Sequence, residues 1–114
     1  MKILVIDDDV LMRRTIARIL TAEGHDLLTA PDTARGVMLF GRERPEIVIA
    51  EGIDTILAMR RIGAPVKIIA ITAYDADMLE TARLIGADDA IEKPFRTHEL
   101  VERVRALCRA PTTN

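Results

Sequence analysis

The sequence predicts a doubly wound α/β domain, a five-stranded parallel sheet covered by helices on both faces, and three observations predict it. Short apolar runs rich in β-branched residues recur along the chain, amphipathic helical stripes fall between them, and capping or turn residues mark the junctions. Strict alternation of strand and helix favours right-handed crossovers and hence parallel pairing.

The first strand, β1, is read over Ile3 to Ile6, a continuous apolar run of the kind expected where both faces of a strand are covered. Asp9 can cap the helix that follows, α1, whose apolar stripe is Met12, Ile16, Ile19 and Leu20, and Gly24 can end it. A weaker strand, β2, spans Asp26 to Ala30, and Asp32 or Thr33 caps α2. Ile47 to Ala50 gives β3, and a helix α3 stops at Gly63. Val66 to Thr72 gives β4, Asp75 caps α4, and Gly86 ends it. Asp88 to Ile91 is a weaker β5. Thr97 caps α5, which places Glu99 and Glu102 near its positive end and repeats the helical stripe at Leu100, Val104, Leu107 and Cys108. The order is β1 α1 β2 α2 β3 α3 β4 α4 β5 α5, with about five helices in one domain over residues 1–109 and a short tail at 110–114 that should fray.

Composition narrows the function. The chain has 114 residues with 16 Lys plus Arg against 18 Asp plus Glu, a net charge of −2, which argues against a polybasic nucleic-acid binder. Aromatic residues are 3% with no Trp, too few for a base-stacking platform, so the core must be aliphatic. A single cysteine, Cys108, can form neither an internal disulfide nor a cysteine cluster and reads as a small apolar helix residue. Three aspartates interrupt the apolar start, so it is neither a secretory signal nor a membrane span, and a cytoplasmic protein is expected. There is no phosphate-binding glycine loop, dinucleotide fingerprint, HExxH helix or Ser-His-Asp arrangement, and His25 and His98 have no evident partners.

In such a sheet, ligands sit beyond the carboxyl ends of the strands. That rule gathers Asp7, Asp8 and Asp9 after β1, Glu51 after β3, Thr72 at the end of β4, and Lys93 with Pro94 after β5. Each has an ordinary explanation by itself, such as aspartates favouring a helix start. Together they place acids, a hydroxyl and one ammonium on a single rim.

Over essentially its whole length the chain resembles the receiver domain of two-component response regulators, a CheY-like, flavodoxin-like fold. The resemblance rests on VIDDD (5–9), PEIVIAE (45–51), the spacing at Ile69 to Ala73, GADDAIEKPF (86–95) and the final amphipathic helix. It implies the strand order 2-1-3-4-5. It also implies that Asp7 and Asp8 are the acid pair that holds Mg²⁺, that Thr72 is the phosphate-contacting hydroxyl, that Lys93 is the pairing ammonium, and that Lys93-Pro94 is a cis bond.

Three positions depart from the family. Glu51 stands where the phosphoacceptor aspartate belongs, and one extra methylene displaces the carboxylate by about 1.5 Å. Misplacement on the order of 1 Å can cost about a hundredfold in rate, so phosphorylation there is not expected. Glu51 either imitates a phosphoryl group in part, with one charge and two oxygens, or pairs with Lys93 and locks one state. The loop after β3 is about four residues short by alignment, which removes a carbonyl ligand and makes Mg²⁺ binding weak at best. No cofactor is then required. Ala90 occupies the aromatic-switch position, and Tyr74 could substitute, although a solvated loop tyrosine is the simpler reading. Asp7, Asp8, Glu51 and Lys93 together carry −2, which calls for a cation, solvent, or a raised carboxylate pKa.

The expected function is an atypical stand-alone receiver, not an enzyme, that signals by protein contact. Its expected face is α4-β5-α5 (Asp75 to Gly86, Ala90 to Glu92, Thr97 to Arg109), with Met78, Leu79 and Arg83 as exposed anchors or as packing residues. The partner is a histidine kinase, phosphotransfer protein or effector, with a homodimer as another outcome. Arg13, Arg14 and Arg18 form a basic stripe on α1 that either meets such a partner or is simply solvated. The alternative is a working phosphoreceiver that uses a displaced acid, Asp54 or Asp8. A third reading, an unrelated small-molecule-binding domain, would show a deep pocket away from the acidic rim.

Overall fold

A computed structural model describes residues 1–73 and 76–109. The cap expected at Asp75, the Tyr74 side chain and the tail 110–114 lie outside the described residues. The elements are β1 Lys2–Ile6, α1 Val10–Ala22, β2 Asp26–Ala30, α2 Thr33–Glu43, β3 Ile47–Glu51, α3 Ile53–Ile62, β4 Lys67–Ala73, α4 Ala76–Leu84, β5 Asp89–Lys93 and α5 Thr97–Arg109. All strand pairs are parallel and the order is β2-β1-β3-β4-β5, as the doubly wound reading requires.

Alternation along the strands divides the interior in two. Leu4, Ile6, Val48, Ala50, Ile68 and Ala70 face one side, where Phe40, Ile56, Met59 and Ala82 from α2, α3 and α4 cover them. Ile3, Val5, Ile47, Ile49, Ile69 and Ile71 face the other, covered by Ile16 and Leu20 from α1 and Leu100 and Val104 from α5. Among the described residues, Phe40 is the only fully buried aromatic side chain, so the core is chiefly aliphatic. Cys108 packs half-buried against the second cluster, as a small apolar residue would.

Cap chemistry sets the entrances to the helices. Asp9 caps α1, its side chain accepting from Leu11 N at 2.9 Å and Met12 N at 3.3 Å, and Asp32 rather than Thr33 caps α2, accepting from Arg35 N. At α5 the expected cap shifts by one residue. Thr97 is already helical, and the Glu99 side chain reaches back to accept from Arg96 N at 3.2 Å, half of a capping box.

Two strand ends matter for the site. β3 runs through Glu51 and α3 begins at Ile53, so the shortened loop is the single residue Gly52, whose φ of 93° is open chiefly to glycine. β5 runs two residues beyond its expected end, so Lys93 is its last residue and Pro94 follows through a cis bond, as expected.

One side chain ties three of these elements together. Arg60, near the end of α3, donates through Nε to Gly86 O (2.7 Å), through Nη1 to Val66 O (2.8 Å) and through Nη2 to Asp88 Oδ2 (2.9 Å). Asp88 Oδ2 also accepts from Ile68 N at 2.7 Å. Gly86 is needed for this approach: a Cβ there would lie 2.8 Å from Arg60 Cγ.

Candidate functional site

The parallel sheet brings the predicted rim residues together. Asp7 leaves β1 directly beneath the rim and is 3% exposed, its Oδ1 accepting from Asp9 N at 2.9 Å. Arg13, from the first turns of α1, donates to Asp7 O at 2.8 Å, so this member of the basic stripe buttresses the site. Arg14 and Arg18 are exposed.

Lys93 lies across the strand ends. Its Nζ is 3.2 Å from Glu51 Oε2 and 3.8 Å from Asp7 Oδ2. The charge excess foreseen from the sequence is relieved in part by a proton. Burial pushes the Asp7 carboxyl up to about 7, helped by its hydrogen bond to the Glu51 side chain and Glu51's charge, against the Asp9 amide and Lys93. The same hydrogen bond from Asp7, followed by Lys93, holds Glu51 below the usual carboxylate range despite its own partial burial. Of the two neighbouring carboxyl groups, Asp7 is therefore the one that takes up a proton more readily.

Oxygen atoms of Asp7, Asp8 and Glu51 all lie within 4.8 Å of one another. This all-oxygen donor set suits a hard divalent cation, with the exposed Asp8 nearest solvent. Asp54, the displaced acid considered above, lies exposed on the first turn of α3. It lines the same depression of about 420 Å³ as Asp7, Asp8 and Glu51 but is not part of the clustered set. Thr72, the last buried residue of β4, is 8% exposed, and its Oγ1 is buried without a hydrogen-bond partner among the described residues. Ala90 is buried in β5 and offers no side chain that could swing between positions.

On the face formed by α4, β5 and α5, a groove of about 370 Å³ is lined by residues that include Arg83, Ala90, Glu92, Glu99 and Arg103. Asp89 Oδ1 receives Arg103 at 2.6 Å and Arg83 at 3.3 Å. Of the two readings offered above for Met78 and Leu79, packing is the one observed: both are half-buried, and Leu79 packs against the first core cluster. An α4 laid on the sheet turns that stripe inward. The large apolar residue that α4 does expose is Leu84, 79% accessible, which the sequence pattern did not single out.

A buried acid at the end of β1, an acid ending β3, a hydroxyl ending β4 and a lysine before a cis-proline ending β5 define the class as a receiver-type signalling domain. The comparisons agree. Residues 3–105 match the family model described as "Response regulator receiver domain", and the chain belongs to that family. It is 32% identical over 117 residues to the response regulator MprA of Mycobacterium leprae, covering 96% of this chain and 51% of that protein. To MprA of Mycolicibacterium vanbaalenii it is 34% identical over 119 residues, covering 97% and 52%. The chain thus spans about half the length of these curated relatives. Among solved structures it is similar to the receiver domain of NtrX from Brucella abortus, with a TM-score of 0.88 and 28% identity over 95% of this chain and 99% of that one. The receiver domain of the Francisella response regulator 1452 superposes with a TM-score of 0.87 and 25% identity, covering 93% and 94%. Among the described residues no helix is long and apolar enough to cross a membrane.

Proposed function

We propose that this chain is an atypical receiver whose site works without phosphoryl transfer to residue 51, in a cytoplasmic setting, and that it signals by contact with another protein rather than by catalysis. The observation that carries this reading is the ion pair between Lys93 Nζ and Glu51 Oε2 at 3.2 Å. The ammonium that the family resemblance assigns to a phosphoryl group is already held by a carboxylate one methylene longer than aspartate. That favours a locked state over a mimic with a free charge, since the Glu51 carboxylate also accepts a hydrogen bond from the Asp7 carboxyl. The partner is a kinase, phosphotransfer protein or effector, or a second copy of the chain, docked on the groove between Arg83 and Arg103, whose mixed charges suit a polar protein surface.

The test is intact-mass measurement after incubation with Mg²⁺ and acetyl phosphate. The unmodified protein gains no phosphoryl adduct on a timescale about a hundredfold longer than an aspartyl receiver needs. Robust labelling of the unmodified chain overturns the reading, and labelling abolished by Asp54→Asn or Asp8→Asn would establish the displaced-acid alternative.

Asp7, Asp8 and Glu51 would hold Mg²⁺, which would supply charge neutralisation on the rim. Lys93 competes for Glu51, and the proton on Asp7 must leave first, so binding is weak and falls about tenfold per pH unit below 7. Calorimetric titration at pH 6 and 8 checks this, and submicromolar affinity would contradict it.

A further inference from the structure

We propose that the outward face of α2 and α3 is a self-association surface, on which a second copy of this chain docks about a two-fold axis with its helices antiparallel to these. The surface lies apart from the groove between Arg83 and Arg103, which stays free for another protein, and it does not depend on what happens at Glu51.

Each helix turns one stripe away from the core. On α3, Asp54, Leu57, Ala58 and Arg61 follow an i, i+3, i+4, i+7 spacing opposite the buried Thr55, Ile56 and Met59. On α2, Ala34, Met38 and Arg42 form the corresponding stripe opposite the buried Gly36 and Phe40. Met38 is 63% exposed. A Cβ added at Gly41, on the same side of α2, would meet nothing within 4 Å, so among the described residues nothing closes over the helix there.

Charge commits the face to a second copy. Both helices start acidic, at Asp32 and Asp54, and end basic, at Arg42 and Arg61. Asp54, Arg42 and Arg61 have no ion pair among the described residues, and Asp32 holds Arg35 only at 3.8 Å. The hydrogen bond between Thr33 Oγ1 and Thr55 Oγ1, at 2.7 Å, sets the first turns of the two helices side by side. Both run the same way, because each joins parallel strands across the same face of the sheet. At about 1.5 Å per residue, the midpoint between Asp32 and Arg42 then lies within about 2 Å, along the axes, of that between Asp54 and Arg61. One two-fold axis at that level brings Asp54 to the second copy's Arg61 and Asp32 to its Arg42, each pair repeated in reverse, with Met38 near the centre. Acids at helix starts and arginines at helix ends also suit each helix's own dipole. That accounts neither for the bare methionine between them nor for the matched levels. A partner of uniform charge would meet repulsion at one end of the face, so the chain itself fits better than an acidic or a basic protein.

The experiment is sedimentation velocity on the full chain. Between about 10 and 500 µM at low salt it shows a monomer–dimer equilibrium with a Kd on the order of 100 µM, weakened roughly tenfold in about 0.5 M NaCl because the pairs are exposed. Asp54→Arg and Arg61→Asp each raise the Kd at least about tenfold by setting like charges opposite one another. Mixed in equal amounts, the two variants associate within about threefold of the unmodified chain, since every α3 pair in the mixed dimer is again of opposite sign. Met38→Lys leaves both helix ends untouched and weakens association about tenfold, whereas Arg103→Gln leaves it unchanged. A chain that stays monomeric throughout, a mixture that associates no better than either variant alone, a Kd indifferent to Met38→Lys, or one that rises with Arg103→Gln overturns the proposal.

Discussion

Arg60→Met lowers the unfolding free energy by about 2–4 kcal/mol, measured by urea denaturation. Methionine keeps most of the aliphatic stem against the core but deletes all three donors. Two backbone carbonyls, Val66 O and Gly86 O, then lose a partner, and Asp88 is left with only the Ile68 amide. The Arg60–Asp88 pair is about one-third exposed, which keeps the expected loss below that of a fully buried ion pair. Arg60→Lys recovers only part of it, because one ammonium cannot reproduce a planar fork aimed at three acceptors. A change below about 0.5 kcal/mol for Arg60→Met would show that the clamp is incidental.

Asp7→Asn flattens the dependence of stability on pH and stabilises the protein at pH 8 by roughly 1–3 kcal/mol. The sign follows from the raised Asp7 pKa. In the unfolded chain Asp7 ionises near its ordinary value of about 4, whereas in the native state it keeps its proton up to about 7. Between those values the native state binds the extra proton, so stability falls as pH rises and levels off above the native value. Glu51 has the opposite sign. Its lowered pKa contributes stability above its ordinary value, and that contribution is lost only as pH falls into the acid range. The unmodified protein should therefore be more stable at pH 5 than at pH 8, and Asp7→Asn should be nearly indifferent to the change. Equal slopes for the two proteins in denaturation series at both pH values would refute the raised Asp7 pKa.

The sheet was legible because strands buried on both faces become uninterrupted apolar runs, and a parallel sheet then puts every strand's carboxyl end on one rim. Asp7, Asp8, Glu51, Thr72 and Lys93 were found by that rule, without knowing any distance. Charge counting showed that a raised carboxylate was one way to balance the rim, but only burial picks Asp7 as the group that keeps the proton. Arg60 left no signal, since one arginine of an Arg60-Arg61 pair near a helix end looks like any solvated cation until its acceptors are in place. The inward turn of Met78 and Leu79 depends on how α4 lies on the sheet. A 3.6-residue period in a short helix does not fix that angle.

The position of α3 constrains anyone who wishes to place an aspartyl acceptor at residue 51 by transplanting residues. Its first turn starts one residue after Glu51, and its far end is clamped by Arg60 to the entrances of two neighbouring strands. Added length cannot be absorbed by sliding the helix, because that would tear the guanidinium from its acceptors. A graft must be confined to the joint at Gly52, so an aspartate at position 51 without inserted residues there would change the carboxylate but leave the α3 side of its surroundings as it is.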